Sequence, residues 1–263
     1  VKALWAATEN DTLPPCENAD RERVLPTGTM HIAIRLSSQP LRLFDDVDGE
    51  AMRDVGYSVV GGARCSYYVR DVSEPASSVG AQLFPGASEV FFGEPAGELA
   101  GRHTPLAELW GRFADDARER LLECGTVEQR LDVFESLLAA RIPRVHGLHP
   151  AVAHALERFT TSVDVREVVR QTGYSHRRFI ALFREAVGLA PKVYCRVLRF
   201  QQVVELTAAN RPASWVDVAL AAGFSDQPHL NRQFKEFAGV TPSEYDRLSP
   251  PFPNHVPIPR SPR

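Results

Sequence analysis

The stretch "GYSHRRFIALFREAVGLAPKVY", beginning at Gly173, returns in outline as "GFSDQPHLNRQFKEFAGVTPSEY", beginning at Gly223. Each copy holds Gly-aromatic-Ser, a Phe inside a charged run, and then Gly, Pro and Tyr. From Gly to the inner Phe there are ten residues in the first copy and eleven in the second. Beyond that difference the register holds at an offset of 51, matching Phe179 with Leu230, Phe183 with Phe234, Gly188 with Gly239, Pro191 with Pro242 and Tyr194 with Tyr245. A chain that repeats a helix-Gly-helix skeleton in register must build one local unit twice.

Start and stop signals frame both units. Asp164 with Glu167 makes a D-x-x-E helix start, and Gly173 ends that helix. Ser175 caps the next, which closes near Gly188. Pro191 suits the first turn of a long helix reaching about Ala209. Ser214 and Asp217 open "WVDVALAA", Gly223 stops it, and a further helix is expected from about Asp226 to Ala238. The prediction is two helix-turn-helix units joined by a linker helix.

Helical phase divides the work within each second helix. Phe179, Leu182, Phe183 and Ala186 share a face and are expected in the core. The opposite face carries Arg177, Ile180, Ala181 and Arg184, flanked by His176 and Arg178. In the second copy the same positions hold Pro228, Asn231, Arg232 and Lys235, flanked by Gln227 and His229. Arg pairs with guanine, Asn or Gln with adenine, and small apolar groups with the thymine methyl. Arg184 and Lys235 lie further along and suit phosphates. A 19-residue linker helix is about 28 Å long at 1.5 Å per residue, near the ~34 Å between major grooves on one DNA face. The plainer reading, two helical hairpins in an all-α domain, explains neither the shared register nor the basic outward faces.

Charge is distributed accordingly. Residues 1–150 hold 15 Lys/Arg against 23 Asp/Glu, and residues 151–263 hold 15 against 10. The acidic and basic halves suggest two modules, the second suited to a polyanion. The first half is β-rich in pattern: "HIAIRL" (31–36), "LRLF" (41–44), "YSVVGG" (57–62), "CSYYVRDV" (65–72) and "SVGAQLF" (78–84) are short runs separated by turn formers. From about residue 105 the pattern turns helical, and Leu131, Phe134, Leu138 and Ile142 form one apolar stripe. The expected architecture is a two-domain α+β chain. A barrel- or sandwich-like domain with trailing helices occupies 1–145, an all-α double helix-turn-helix domain 151–248, and a Pro-rich tail without secondary structure 249–263.

The residues of the second half resemble the DNA-binding domain of the AraC/XylS family of bacterial transcriptional regulators. The resemblance covers about residues 151–248 and is most specific in "AAGFSDQPHLNRQFKEFAGVTPSEYDR". It implies double-stranded DNA as partner, two recognition helices, and an N-terminal domain that binds a small effector or mediates dimerisation. "VLPTGTMHIAIRL" and "AQLFPGASEVFFGEPAGELAGRHTPLAELWG" are similar to a poorly characterised partner domain in one branch of that family. The chain departs from common members at Ile180 and Ala181, where polar base readers often sit.

Other chemistry has weaker support. His146, His149 and His154 cluster near the domain junction, but no Cys or carboxylate stands at ligand spacing, so no metal is expected. Cys16 and Cys65 lack neighbouring cysteines and read as incidental thiols. Trp5, Tyr57, Tyr67, Phe84, Phe91, Phe92 and Trp110 are candidates for an effector pocket or simply for core. G-x-S-x-G, phosphate-binding Gly loops and H-E-x-x-H are absent from the sequence, so neither an enzyme nor a cofactor is expected. No apolar run reaches membrane-spanning length and no secretory signal is legible, which points to the cytoplasm. The expectation is a sequence-specific regulator, with an effector, a homodimer or RNA polymerase as routes of control. The alternative is a small-molecule binding protein whose helical half serves protein contacts.

Overall fold

A computed structural model describes residues 1–9, 19–45, 47, 51–142, 147–160, 164–209 and 214–259. The N-terminal half supplies β1 (Ala3–Ala7), β2 (Arg21–Val24), β3 (His31–Arg35), β4 (Arg42–Phe44), β5 (Met52–Asp54), β6 (Ser58–Gly61), β7 (Tyr68–Asp71), β8 (Ser78–Gln82) and β9 (His103–Pro105). With a tenth strand from the far end of the chain they make two five-stranded antiparallel sheets. The orders are β1-β8-β3-β6-β9 and β10-β2-β7-β4-β5, where β10 is His255–Ile258.

All five runs expected as strands are strands. The others carried no readable alternation. β2 reads RERV and places Glu22 in an ion pair with Arg70, while β5 is a fully exposed three-residue edge.

Alternation along β3 divides the two faces of the first sheet. Ile32 and Ile34 are fully buried in the main core, which α3, α4 and α5 complete from that side. His31 and Ala33 point the other way, towards the second sheet, where Leu41, Leu43, Val55 and Val59 form a smaller apolar cluster. The helices that follow are α1 (Ser88–Phe92), α2 (Ala96–Leu99), α3 (Leu106–Trp110), α4 (Phe113–Leu122) and α5 (Val127–Ala140). Helix thus begins well before the expected residue 105.

Two other expectations are corrected. Ile142 lies past the end of α5 and is 52% exposed, while Leu137 joins Phe134 and Leu138 in the core. Ile142 precedes Pro143, and a residue before proline is disfavoured in the helical region. The tail at 249–263 is not without structure, since β10 pairs antiparallel with β2, Val256 opposite Arg23. Its prolines are tolerated because β10 is an edge strand.

The helical half comprises α6 (Pro150–Phe159), α7 (Val165–Thr172), α8 (His176–Val187), α9 (Pro191–Ala209), α10 (Trp215–Ala221), α11 (Gln227–Ala238) and α12 (Pro242–Leu248). It shares one continuous apolar core with the first half. The tail fastens the two together. Tyr245 Oη donates to Pro253 O, Leu25 N to Asn254 O, and Gln201 Nε2 to both Pro26 O and Asn254 Oδ1.

Beside this junction Glu22 accepts from Arg70 and meets His255 Nδ1 of β10 at 2.7 Å. Burial alone would raise the Glu22 carboxyl. Arg70 and then His255 outweigh it and hold the group down at about 2. The resulting stabilisation is complete above the ordinary value of 4.5 and disappears as pH falls through about 2. Acid titration of unfolding should show stability falling across that window, with a flatter profile in Glu22→Gln. Superimposable profiles would deny the carboxylate this role.

Candidate nucleic-acid interface

The two second helices obey the repeat to the residue. α8 spans His176–Val187 and α11 spans Gln227–Ala238, each of 12 residues. Ser175 accepts from Arg178 N at 3.4 Å, and Asp226 from His229 N at 2.7 Å, capping the two N-termini. Both helices end at a left-handed glycine, Gly188 with φ 87° and Gly239 with φ 73°. The extra residue of the second copy lies in the turn, between Gly223 and its cap Asp226, and leaves the helix beyond it in phase.

Packing repeats as well. Phe183 meets Tyr194 of α9 edge-on at 5.6 Å, and Phe234 meets Tyr245 of α12 edge-on at 5.5 Å. Phe179, Phe183, Leu230 and Phe234 are buried. Leu182 and Ala186, expected in the core, are partly buried at its margin, and Val187 is buried. These interlocked rings orient the opposite face of each helix outward.

On α8, His176, Arg177, Arg178, Ala181 and Arg184 are exposed and Ile180 is half-buried. On α11, Pro228, Arg232 and Lys235 are exposed, while Gln227, His229 and Asn231 are half-buried. Among the described residues Arg177, Arg178, Arg184, Arg232 and Lys235 form no salt bridge. Exposed, unpaired cations on two equivalent faces are suited to an anionic partner. His229 is engaged locally, with Nδ1 3.1 Å from Ser225 Oγ and its ring edge-on to Phe224.

One basic feature escaped the sequence reading. Arg166 at the start of α7 and Lys192, Arg196 and Arg199 of α9 line an open cleft of about 380 Å³. Arg196 is paired with Glu236 of α11, and Arg199 Nη1 donates to Gly223 O, so two of the four tie the linker helix to the second unit. The i, i+4, i+7 spacing within "KVYCRVLR" was the available signal.

The other candidates resolve into packing. His149 Nδ1 accepts from Ala151 N and caps α6, and its Nε2 lies 3.3 Å from Tyr174 Oη. His154 Nε2 lies 3.0 Å from Gln171 Oε1, and His146 is outside the described residues. Cys65 is exposed, Cys16 falls outside the described residues, and burial pushes the Cys195 thiol up to about 11. The aromatic candidates do not converge. Phe91, Phe92 and Trp110 are core, Phe84 is 55% exposed, and Tyr57 carries the Arg118 guanidinium on its face. Among the described residues no helix is long and apolar enough to cross a membrane.

Comparison with known proteins agrees with this arrangement. Residues 153–248 match the model of a helix-turn-helix domain, and residues 1–105 match a domain of unknown function (DUF6597). The chain is 24% identical over 142 residues to the HTH-type transcriptional regulator ArgR of Pseudomonas aeruginosa, covering 52% of this chain and 40% of the relative. It is 31% identical over 86 residues to the putative HTH-type transcriptional regulator YkgA of Escherichia coli, covering 32% and 34%. It thus spans well under half the length of either. A crystal structure of an apo ToxT variant from Vibrio cholerae shares the fold, with TM-score 0.50, 12% identity and coverage of 94% and 97%. With two domain models matched in order and both helix-turn-helix units in place, residues 153–248 are an AraC-type helix-turn-helix domain and residues 1–105 belong to the domain family of unknown function.

Proposed function

We propose that the protein is a sequence-specific DNA-binding transcription regulator of the cytoplasm, and not an enzyme. One observation carries this: α8 and α11 are equivalent helices, 51 residues apart, that hold unpaired cations outward on a rigid aromatic scaffold. The α8 set His176, Arg177, Arg178, Ile180 and Ala181 reads one major-groove segment. Gln227, Pro228, Asn231 and Arg232 of α11 read the next, with His229 bracing that helix. Arg184 and Lys235 hold phosphates, and Arg166 and Lys192 add phosphate contacts between the two segments. Regulation works through the N-terminal domain, because its core is continuous with that of the reading domain. A small effector is the favoured input, and a homodimer or RNA polymerase contact the further route.

Selection of bound sequences from a random double-stranded DNA library tests the reading. Two different half-motifs are expected, centred about 10–10.5 base pairs apart, on one chain. An unenriched library, or a single motif, would overturn it.

A further inference from the structure

Four glycines with left-handed backbone punctuate the two reading units. Gly173 closes α7, Gly188 closes α8, Gly223 follows α10 and Gly239 closes α11. A positive φ is reason enough for glycine at each. Two of them carry a second constraint. A Cβ on Gly173 would meet open space, and one on Gly223 only ordinary contact with Arg199 at 3.7 Å. A Cβ on Gly188 would sit 3.1 Å from Ala63 Cβ and from Ala96 O, and one on Gly239 would sit 2.7 Å from the Tyr67 ring. Gly188 and Gly239 are the repeat-equivalent pair. The C-terminal ends of both recognition helices are therefore pressed against one short segment of the first half, residues 63–67.

The contacts at these ends are specific. The last carbonyls of a helix have no partner within it. Tyr67 N supplies one for α11, donating to Phe237 O at 3.2 Å. Arg23 of β2 stands at the same end, its guanidinium 5.7 Å from the centre of the Tyr67 ring. A cation there complements the negative end of the helix dipole. At α8 the seat is widened by α2, where a Cβ on Gly97 would lie 3.1 Å from Arg184 O. The segment is itself held firmly. Gly62 N donates to Arg102 O and Gly101 N to Ala63 O, both at 2.9 Å. Arg64 lays its guanidinium 4.4 Å from the centre of the Tyr68 ring and donates from Nη2 to His103 Nδ1 at 3.3 Å, which ties the segment to β7 and β9.

The linker helix holds the units from the other side. α9 meets α8 through Tyr194 and Phe183, and α11 through Phe200 and Phe234. A single helix sets the separation of two units along its axis. The turn of one unit against the other about that axis is fixed by a second attachment away from the helix, and residues 63–67 supply it at equivalent points. Arg177 and Arg232 remain exposed, so the attachment orients the reading faces without covering them. On B-DNA, one base pair more between the half-motifs turns the second by about 34° and shifts it by about 3.4 Å. A reader held at one angle cannot follow that change, whereas a loosely joined pair loses affinity only gradually.

We propose that Tyr67, with Ala63 at the other end of the segment, is a positioning residue that fixes the angle between α8 and α11 and so sets the spacing of the two half-motifs. The effect on spacing rests on the regulator reading, and the angle itself does not. Two measurements on the full chain test it. In the first, spin labels on unnatural residues at Ala181 and Arg232, which are repeat-equivalent and exposed, report the distance between the helices without DNA. A narrow distribution is expected with Tyr67 in place and in Tyr67→Phe, which keeps the ring on Gly239, and a broad one in Tyr67→Ala. Ala63→Gly, which removes the methyl that meets Gly188, should broaden it in the same sense, so the test does not depend on Tyr67→Ala folding. In the second, the unlabelled proteins bind DNA whose half-motifs stand one base pair nearer or farther than the selected spacing. The unaltered chain and Tyr67→Phe should lose about tenfold or more on that change, and Tyr67→Ala and Ala63→Gly about threefold or less. Affinity for one half-motif alone should stay equal in all four, which a merely destabilised domain would not preserve. Equally narrow distances in Tyr67→Ala and Ala63→Gly would mean that the linker helix alone fixes the angle, and the proposal fails. Broadened distances with an unchanged spacing preference would remove the role in spacing while specific DNA binding, and with it the regulator reading, stands. If the chain binds no specific DNA, the regulator reading falls, and the distance distributions still decide whether residues 63–67 hold the angle.

Discussion

Replacing Arg177 and Arg232 together by alanine is expected to lower affinity for the selected DNA site by roughly a hundredfold or more. A well-placed bidentate arginine contributes about 1–3 kcal/mol of base discrimination. The two lie on separate helices, so their effects should add. Each single variant should lose close to tenfold and relax preference only within its own half-motif. Arg184→Ala and Lys235→Ala should behave differently. They should weaken binding to all sequences alike and reduce the salt dependence by about one ion each. Fluorescence anisotropy at several salt concentrations separates the two patterns. If Arg177→Ala and Arg232→Ala act uniformly on every sequence, these side chains hold phosphates and the assignment of the faces is wrong.

Phe234→Ala is expected to destabilise the protein by about 3–5 kcal/mol, the usual range for emptying a buried phenylalanine site. Phe234 is 1% exposed, and its ring lies 5.0 Å from Phe200 and 5.5 Å from Tyr245. The cavity would open where α9, α11 and α12 meet, so it cannot close without moving the second recognition helix. For a chain of this size the melting temperature should fall by about 10 °C. Arg232→Ala is the control, since its side chain is exposed and its loss should leave melting unchanged. A small shift in Phe234→Ala would mean that the second unit is packed far more loosely than its rings imply.

The repeated unit was legible because its determinants are local. Caps, terminal glycines and the 3.6-residue period act within a few residues of one another, and Asp164, Ser175, Gly188 and Asp226 all stand where those rules place them. The strand runs at 31–36 and 57–62 were legible for the same reason, since each sheet face selects alternate residues. β10 was not. "HVPI" has neither the length nor the alternation of an independent strand, and it becomes one because β2 offers an unpaired edge more than 230 residues earlier. The helices between 88 and 105 were missed because four- and five-residue segments show too few turns for a period to register.

By itself the sequence determined that there are two reading units, where each begins and ends, and which side chains face away from the core. Near-neighbour hydrogen bonds and helical phase are sufficient for that. Only the tertiary structure decided how the halves are joined: a shared core, a returning C-terminal strand, and a 63–67 connection seated against Gly188 and Gly239. It alone brought Arg64, Tyr68 and His103 together from three separate segments. Such proximity depends on strand order across two sheets, which no local pattern encodes.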